Sequence, residues 1–403
     1  MEEKYRHFLF GIVASVGLCC IILVFFMGDE VRFDFLSFIS IVILLVLFVV
    51  LAFDIVLLAR ILCGCHNETK WHIVTGCLPD QELRSKRKLL FHPEVTVFPS
   101  SVISYCEAVK QVEFAGSDCY FMAGSFEGCA NLEYIKLPHC LERIPDNMFK
   151  NCSSLKEIII PSTVKSIGKN AFDGCRRLTS VTFGESSKLE SIGCSAFKGC
   201  KRLTSVEIPA SVTSIGRGAF KGCKRLTSVK IPVGVTSIGD DAFSGCSRLS
   251  SVEIPAGVTS IGERAFDGCS GLTSVEIPAG VVDPGLFPAV TGECRVVVTG
   301  EITDSTVEKL RSMIDGMSAG AKIRLDLSQT TGLTSIGSSA FSGCSGLTSV
   351  TFGDTSEWYV TKSKTDGAKK ARDKIVELNS EKPTRNAKKL VKKYADRYWY
   401  KKK

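Results

Sequence analysis

A 23-residue sentence repeats along this chain and dominates what it can fold into. Residues 196–218 read AFKGCKRLTSVEIPASVTSIGRG, and residues 219–241 read AFKGCKRLTSVKIPVGVTSIGDD. Phenylalanines recur at Phe126, Phe149, Phe172, Phe197, Phe220, Phe243 and Phe266, every step being 23 residues except the 25 from Phe172 to Phe197. Ile103 lies 23 residues before Phe126, so a degenerate first unit is expected to start near residue 102. A period of this length marks a solenoid, in which each unit buries its apolar side against the next.

Within a unit, Val206 and Ile208 fall on one side of an extended strand and Glu207 on the other. Pro209 removes a donor and ends the strand. Val212 and Ile215 are read as leading the chain round a turn, with Gly216 loosening the backbone there. Ala219, Phe220 and Cys223 return it inward. Stacked units place each residue about 4.8 Å from its own copies. Leu203 then meets Leu178 and Leu226, and Phe220 meets Phe197 and Phe243.

The chain holds 18 cysteines, a number that in a short secreted protein suggests disulfides. Here Cys129, Cys152, Cys175, Cys200, Cys223, Cys246, Cys269 and Cys344 occupy one repeat position. That regularity points to a small buried hydrophobe.

The unit pattern LTSVxIPxxVTSIGxxAFxGC resembles the BspA-like leucine-rich repeats of bacterial surface proteins, spirochaetal ones especially. The resemblance runs over roughly residues 102–353, with an interruption. It implies a curved solenoid of short parallel strands and a protein-binding or adhesive role, in proteins that are commonly exported. Spirochaetal members are similar at the C-terminus too, where Asn386-Ala387 and Tyr398-Trp399-Tyr400-Lys401 match their ending; this implies an ordered terminal segment.

The N-terminus departs from that family. Residues 8–27 and 36–53 carry no charge, and the second run continues past Asp54 to residue 62. Each is long enough to cross a bilayer as helix, and a short polar link joins them. We read a transmembrane helical hairpin with its bilayer contact through residues 8–27 and 36–62, and Asp54 and Arg60 at the headgroups. A cleaved signal fits less well: MEEKYRH is weakly basic, and no small-residue cleavage site precedes the second run. A lipidated Cys19 would follow Leu18, where a small residue is needed. Lys4, Arg6, Arg60, Lys70, Arg84 and the SKRK of 85–88 flank the spans, while the link holds only Arg32. This places both ends, and the repeats, on the cytoplasmic side; exposure at the cell surface is the alternative.

The repeat lapses at VVDPGLFPAV and is absent from 292–331. There ECRVVVTG and AKIRLDLS look like strands. ITDSTVEKLRSMIDGMS looks like a helix, with Ser305 and Glu308 as a capping box. The segment is either a modified coil closing the stack or a separate insertion. The expected domains are an anchor over 1–65, a juxtamembrane linker over 66–101, and repeats over 102–287. An irregular helix-containing insertion or modified repeat follows over 288–331, then a last repeat over 332–353 and a basic segment over 354–403. Residues 360–403 hold 16 Lys/Arg against 5 Asp/Glu, a net of +11 that leaves −3 for the first 359.

Two surfaces are candidate recognition sites. On the solvent side of the strands, one row runs Lys136, Ile159, Thr182, Glu207, Lys230, Glu253, Glu276. Its neighbour runs Tyr134, Glu157, then Ser180, Ser205, Ser228, Ser251 and Ser274. Tyr134 and Ile159 are the apolar exceptions on a hydroxyl-rich face, and Glu207, Lys230 and Glu253 its charged members. The other surface is a basic stripe of Arg176, Arg177, Lys201, Arg202, Lys224, Arg225 and Arg248, suited to anionic headgroups or acidic partners, or simply a solvated edge.

No enzyme is expected. The five histidines fall outside the repeat frame, and no GxxxxGK[ST] loop is present. No cofactor is called for. Cys63, Cys65, His66, His72 and Cys77 match no standard zinc spacing, so no metal is expected either. The basic tail with Trp399 lacks a recognised nucleic-acid motif, and nucleic acid is not an expected partner. The reading is a membrane-anchored, non-enzymatic repeat protein binding other proteins, against a surface-exposed adhesin or a membrane structural scaffold.

Overall fold

The computed structural model describes residues 72–74, 86–99, 103–116, 119–353, 356–361, 374–378, 382–393, 396 and 398–401. The chain divides between Lys70 and Trp71 into two units, and every described residue belongs to the second. The expected hairpin over 8–27 and 36–62 lies outside the described residues, as do Cys63, Cys65, His66 and Cys77. Among the described residues, no helix is long and apolar enough to cross a membrane.

Each regular coil supplies two short strands. Ser205–Glu207, Ser228–Lys230, Ser251–Glu253 and Ser274–Pro278 pair parallel, with each serine opposite the serine one coil on. Arg143–Ile144, Ser166–Ile167, Ser191–Ile192, Ser214–Ile215, Ser237–Ile238 and Ser260–Ile261 form a second, six-stranded parallel sheet. The turn expected at Val212 and Ile215 is therefore corrected: Ser214–Ile215 is a strand. Two residues are too few for alternation to betray it.

The core lies between these sheets and the return carrying Phe and Cys. Leu203, Val206, Ile208, Val212, Ile215, Ala219, Phe220 and Cys223 are all buried. From Phe126 to Phe266 the rings stack with centroids 5.1 to 5.6 Å apart. Phe287 extends the column at 5.3 Å although its surrounding sequence has left the pattern.

The buried cysteines do more than fill space. Each thiol of the regular coils donates to the carbonyl of the phenylalanine one coil back: Cys152 to Phe126 at 3.1 Å, Cys223 to Phe197 at 3.3 Å, Cys246 to Phe220 at 3.3 Å. The threonines act alike on the solvent side. Thr227 Oγ1 donates to the Thr204 carbonyl at 3.1 Å, and Thr236 Oγ1 to that of Thr213 at 3.3 Å. Both residue types add a second hydrogen bond to carbonyls that already accept a backbone N–H.

Gly216 does not loosen a turn. A Cβ there would sit 2.7 Å from the Gly193 carbonyl carbon and 2.8 Å from the Cys194 nitrogen, so it permits close approach of consecutive coils. Gly222 differs: its φ is +75°, and the nearest atom to a Cβ is 3.9 Å away. Gly216→Ala is expected to cost about 3 kcal/mol, since only backbone can give way. Gly222→Ala pays only left-handed strain, about 1 kcal/mol. Chemical denaturation of the two variants checks this order, and a reversal would refute it.

The stack begins ahead of residue 102. His72–Val74 pairs parallel with Lys88–Phe91, which pairs with Gln111–Phe114; Val97–Phe98 pairs with Tyr120–Phe121. The described parts of the segment expected to be a linker over 66–101, residues 72–74 and 86–99, thus belong to the stack. They keep core volume through Leu89, Phe91 and Phe98, all buried, but spell none of the repeat's polar text. The 25-residue coil leaves its own mark. Ser180–Phe183 pairs with Glu157–Ile160 in a separate two-stranded sheet. The Thr204 N–H reaches the Thr179 carbonyl only at 3.5 Å.

Residues 288–331 are a coil of the same stack. Glu293–Glu301 pairs with Ser274–Pro278 on one side and Lys322–Thr331 on the other, and Leu347–Phe352 follows in the same seven-stranded sheet. Helix α1 (Asp304–Gly316) takes the place of the compact return and buries Val307, Leu310, Met313 and Ile314. Its cap is Thr303, whose hydroxyl accepts from the Thr306 N–H while the Thr306 hydroxyl accepts from the Thr303 N–H. This corrects the expected Ser305–Glu308 box by two residues.

The modified coil does not close the stack; the C-terminal segment does. Tyr398–Lys401 pairs antiparallel with Ser335–Ile336 and with Ser356–Thr361, which also pairs with Lys374–Leu378. Helix α2 (Pro383–Lys388) brings in Asn386, fully buried, whose Nδ2 donates at 3.0 Å to the Val350 carbonyl of the last strand of the seven. Trp399, Ala387 and Leu390 are buried as well. The antiparallel strands cover an edge that would otherwise template further pairing.

Candidate recognition surface

The sheet face offers register rows whose members are fixed by the ladders. Ile159 pairs with Thr182, Glu207 with Lys230, and Glu253 with Glu276. Tyr134 lies opposite Gln111. Glu207, Lys230 and Glu253 are exposed and lie on successive strands of the seven-stranded sheet. Tyr134 and Ile159 belong to two other hydrogen-bonded sheets. The rows are therefore interrupted between the apolar exceptions and the charged members, at the coil with two extra residues.

Ile159 is 64% exposed, an unusual investment for a branched aliphatic side chain. Tyr134 is half-buried. Desolvation, then the carboxylates of Glu113 and Glu157, push its hydroxyl upward, so it stays a neutral donor. At the far end of the sheet the charges are paired. Arg295 meets Asp326 at 2.6 Å, and Arg324 meets Glu293 at 3.3 Å. Burial works to raise the Asp326 carboxyl, but hydrogen bonds from Arg295 and Ser328 outweigh it and hold the group below its ordinary value.

A separate two-stranded sheet, Val97–Phe98 with Tyr120–Phe121, adds residues that the sequence reading missed. Val97 and Tyr120 pair in register and are 57% and 67% exposed, with Met122 close by in sequence. The signal was present: later coils carry Ser166, Ser191 and Ser214 at the position where Tyr120 stands.

Arg176, Arg177, Lys201, Arg202, Lys224, Arg225 and Arg248 are all exposed. Inter-coil hydrogen bonds bracket them on both sides. The Gly174 N–H donates to Lys198 and that of Gly199 to Lys221; downstream, the Thr227 N–H donates to Thr204 and that of Ser250 to Thr227. The backbone positions that carry these cations thus lie one strand spacing apart in successive coils, about 4.8 Å. Among the described residues no group of three or more His, Cys, Asp or Glu side chains is arranged to hold a metal ion.

The ladders of phenylalanine, cysteine and threonine define the unit, and the unit is that of a known family. A family model described as "BspA type Leucine rich repeat region" matches six copies over residues 84–189, 190–285 and 323–362, together more than half of the chain. The chain belongs to the BspA-type leucine-rich-repeat family. The match skips the helical coil through which the seven-stranded sheet runs unbroken.

Similar solved structures include a leucine-rich cell surface protein from Faecalibacterium prausnitzii, with 22% identity, a TM-score of 0.32, and coverage of 54% of this chain and 80% of that one. A leucine-rich repeat protein from Bacteroides ovatus has 21% identity, a TM-score of 0.38, and coverage of 64% and 76%. The T. pallidum leucine-rich repeat protein has 25% identity, a TM-score of 0.35, and coverage of 52% and 86%. No curated protein matches the chain.

Proposed function

We propose that this BspA-type solenoid is a membrane-anchored, non-enzymatic module that binds other proteins through the outer face of its strands. One observation carries the reading. The residues common to the coils are spent on core and inter-coil bonds, so selectivity falls to outward residues that differ, Tyr134 and Ile159 first, then Glu207, Lys230 and Glu253. The apolar runs 8–27 and 36–62 supply the tether. The flanking positive charges favour repeats on the cytoplasmic side.

Membrane fractionation tests the tether: full-length chain is expected in the membrane pellet, and a chain lacking 1–65 in the soluble fraction. Equal recovery of both in the pellet would remove the tether. Protease treatment of intact cells is expected to spare the repeats; shaving them would favour the surface-exposed adhesin. Pull-down with Tyr134→Ala/Ile159→Ser is expected to lose at least tenfold of specifically recovered protein. Unchanged recovery would discard this face.

A further inference from the structure

We propose that the ridge formed by Arg176, Arg177, Lys201, Arg202, Lys224 and Arg225 is a docking site for a linear anionic polysaccharide lying along the solenoid axis. The ridge is separate from the sheet face invoked above, its partner is of a different class, and the proposal goes with the surface-exposed placement of the repeats rather than the cytoplasmic one.

Folding does not require these cations. The same two positions hold Ala130 and Asn131, Ser153 and Ser154, and Ser270 and Gly271 in other coils, which stack equally well. Unlike three lysines of the same and neighbouring coils, they form no ion pair among the described residues, although, after the hydrogen bond from Lys156, the charge of Arg177 helps hold the Glu133 carboxyl below its ordinary value. Lys150 pairs with Glu127 at 2.9 Å, Lys156 with Glu133 at 2.7 Å, and Lys221 with Asp241 at 3.3 Å, each with an acid on a neighbouring coil. Among the described residues, no acid lies within ion-pair distance of the six. Like charges one strand spacing apart repel, in a body whose first 359 residues sum to −3. A partner that brings anions removes that repulsion and releases condensed counterions.

The arrangement selects the kind of polyanion. Two cations abreast repeat down three coils, a line rather than a plane, which suits a chain carrying anionic groups at intervals near the strand spacing. Beside the line run Thr179, Thr204, Thr227 and Ser250, exposed hydroxyl residues. Of the large apolar side chains of these coils, Val233 is exposed and Phe183 partly buried; the others are buried. Among the described residues of these coils no aromatic side chain is exposed to stack a nucleobase, and Val233 alone is an exposed large apolar one.

The test uses the full-length chain in detergent with heparin, a sulfated linear polysaccharide, as probe. Binding is measured by calorimetry in 0.15 M salt, with thermal melts confirming folding. The variant R176S/R177S/K201S/R202S/K224S/R225S, which adopts the residues of Ser153 and Ser154, is expected to lose at least tenfold in affinity. The control K136S/K165S/K169S/K188S/K309S/K322S removes six exposed cations elsewhere and is expected to change affinity less than twofold. Should the sixfold variant fail to fold, the pair variants R176S/R177S, K201S/R202S and K224S/R225S are each expected to lose two- to threefold. Equal losses in ridge and control variants would overturn the proposal, as would unchanged binding in the pair variants. Ridge-dependent binding to phosphatidylserine-containing vesicles without binding to heparin would overturn it in favour of a bilayer. Single-stranded DNA bound as tightly as heparin would overturn it in favour of nucleic acid.

Discussion

Raising the pH from 8 to 10 is expected to strip most of the stability from the solenoid. The buried thiols are the cause. A cysteine ordinarily titrates near 9.0, and burial pushes Cys269 and Cys344 up to about 12 and Cys294 to about 11. Burial also pushes Cys152, Cys175, Cys200, Cys223 and Cys246 upward. The folded state therefore keeps protons that the unfolded chain releases once the pH passes 9. Stability from these groups is fully present below that value and falls as the pH climbs toward 12. One unit above the unfolded value, each thiol costs about 1.4 kcal/mol. The whole row then costs on the order of 10 kcal/mol, comparable to the stability of an entire domain. Guanidinium midpoints at pH 8 and pH 10 measure the effect. A Cys223→Ala/Cys246→Ala variant starts less stable at pH 8 but loses about 3 kcal/mol less on the way to pH 10. Equal midpoints at the two pH values would remove the thiols from the account.

Phe220→Ala is expected to cost about 3–5 kcal/mol. The ring is fully buried and stacks on Phe197 and Phe243, each at 5.3 Å. In a stack held by nearest-neighbour terms, its removal weakens both coil interfaces at once. Phe287→Ala is expected to cost less, because among the described residues its ring contact is with Phe266 alone, tilted by 28°. Urea unfolding of the two variants gives the comparison. A loss below 1 kcal/mol for Phe220→Ala would show that the ring column carries little of the fold.

Repetition made the core readable. Leu203, Val206, Ile208, Phe220 and Cys223 could be placed inside because each returns at a fixed interval, and a residue that must meet its own copy cannot drift. What repetition hides is direction. Cys223 looks like a small apolar filler, and its bond to the Phe197 carbonyl shows only when the neighbouring coil is in place. Ser214–Ile215 is too short to display a period. Leu89, Phe91 and Phe98 preserve volume but not spelling, so the early coils escaped notice. The cap of α1 was misplaced because Ser305 and Glu308 fit the usual box chemistry, whereas Thr303 and Thr306 achieve it with two hydroxyls. Asn386 and Trp399 stood out only through resemblance, since no local pattern announces a lid whose partner is Val350 or Ser335–Ile336. The recognition rows were assignable from the period, but their interruption at the 25-residue coil needed the hydrogen bonds.

The parallel in-register pairing has a genetic corollary. Residues 196–218 and 219–241 are near-copies, and each presents to its neighbour the same upper and lower surface. Unequal exchange between such tracts inserts or removes a whole turn, leaving no mismatched seam. The span between the first turn and the C-terminal lid then changes in steps of one strand spacing, so the length of this molecule is a heritable ruler that can be lengthened or shortened without redesigning its interior.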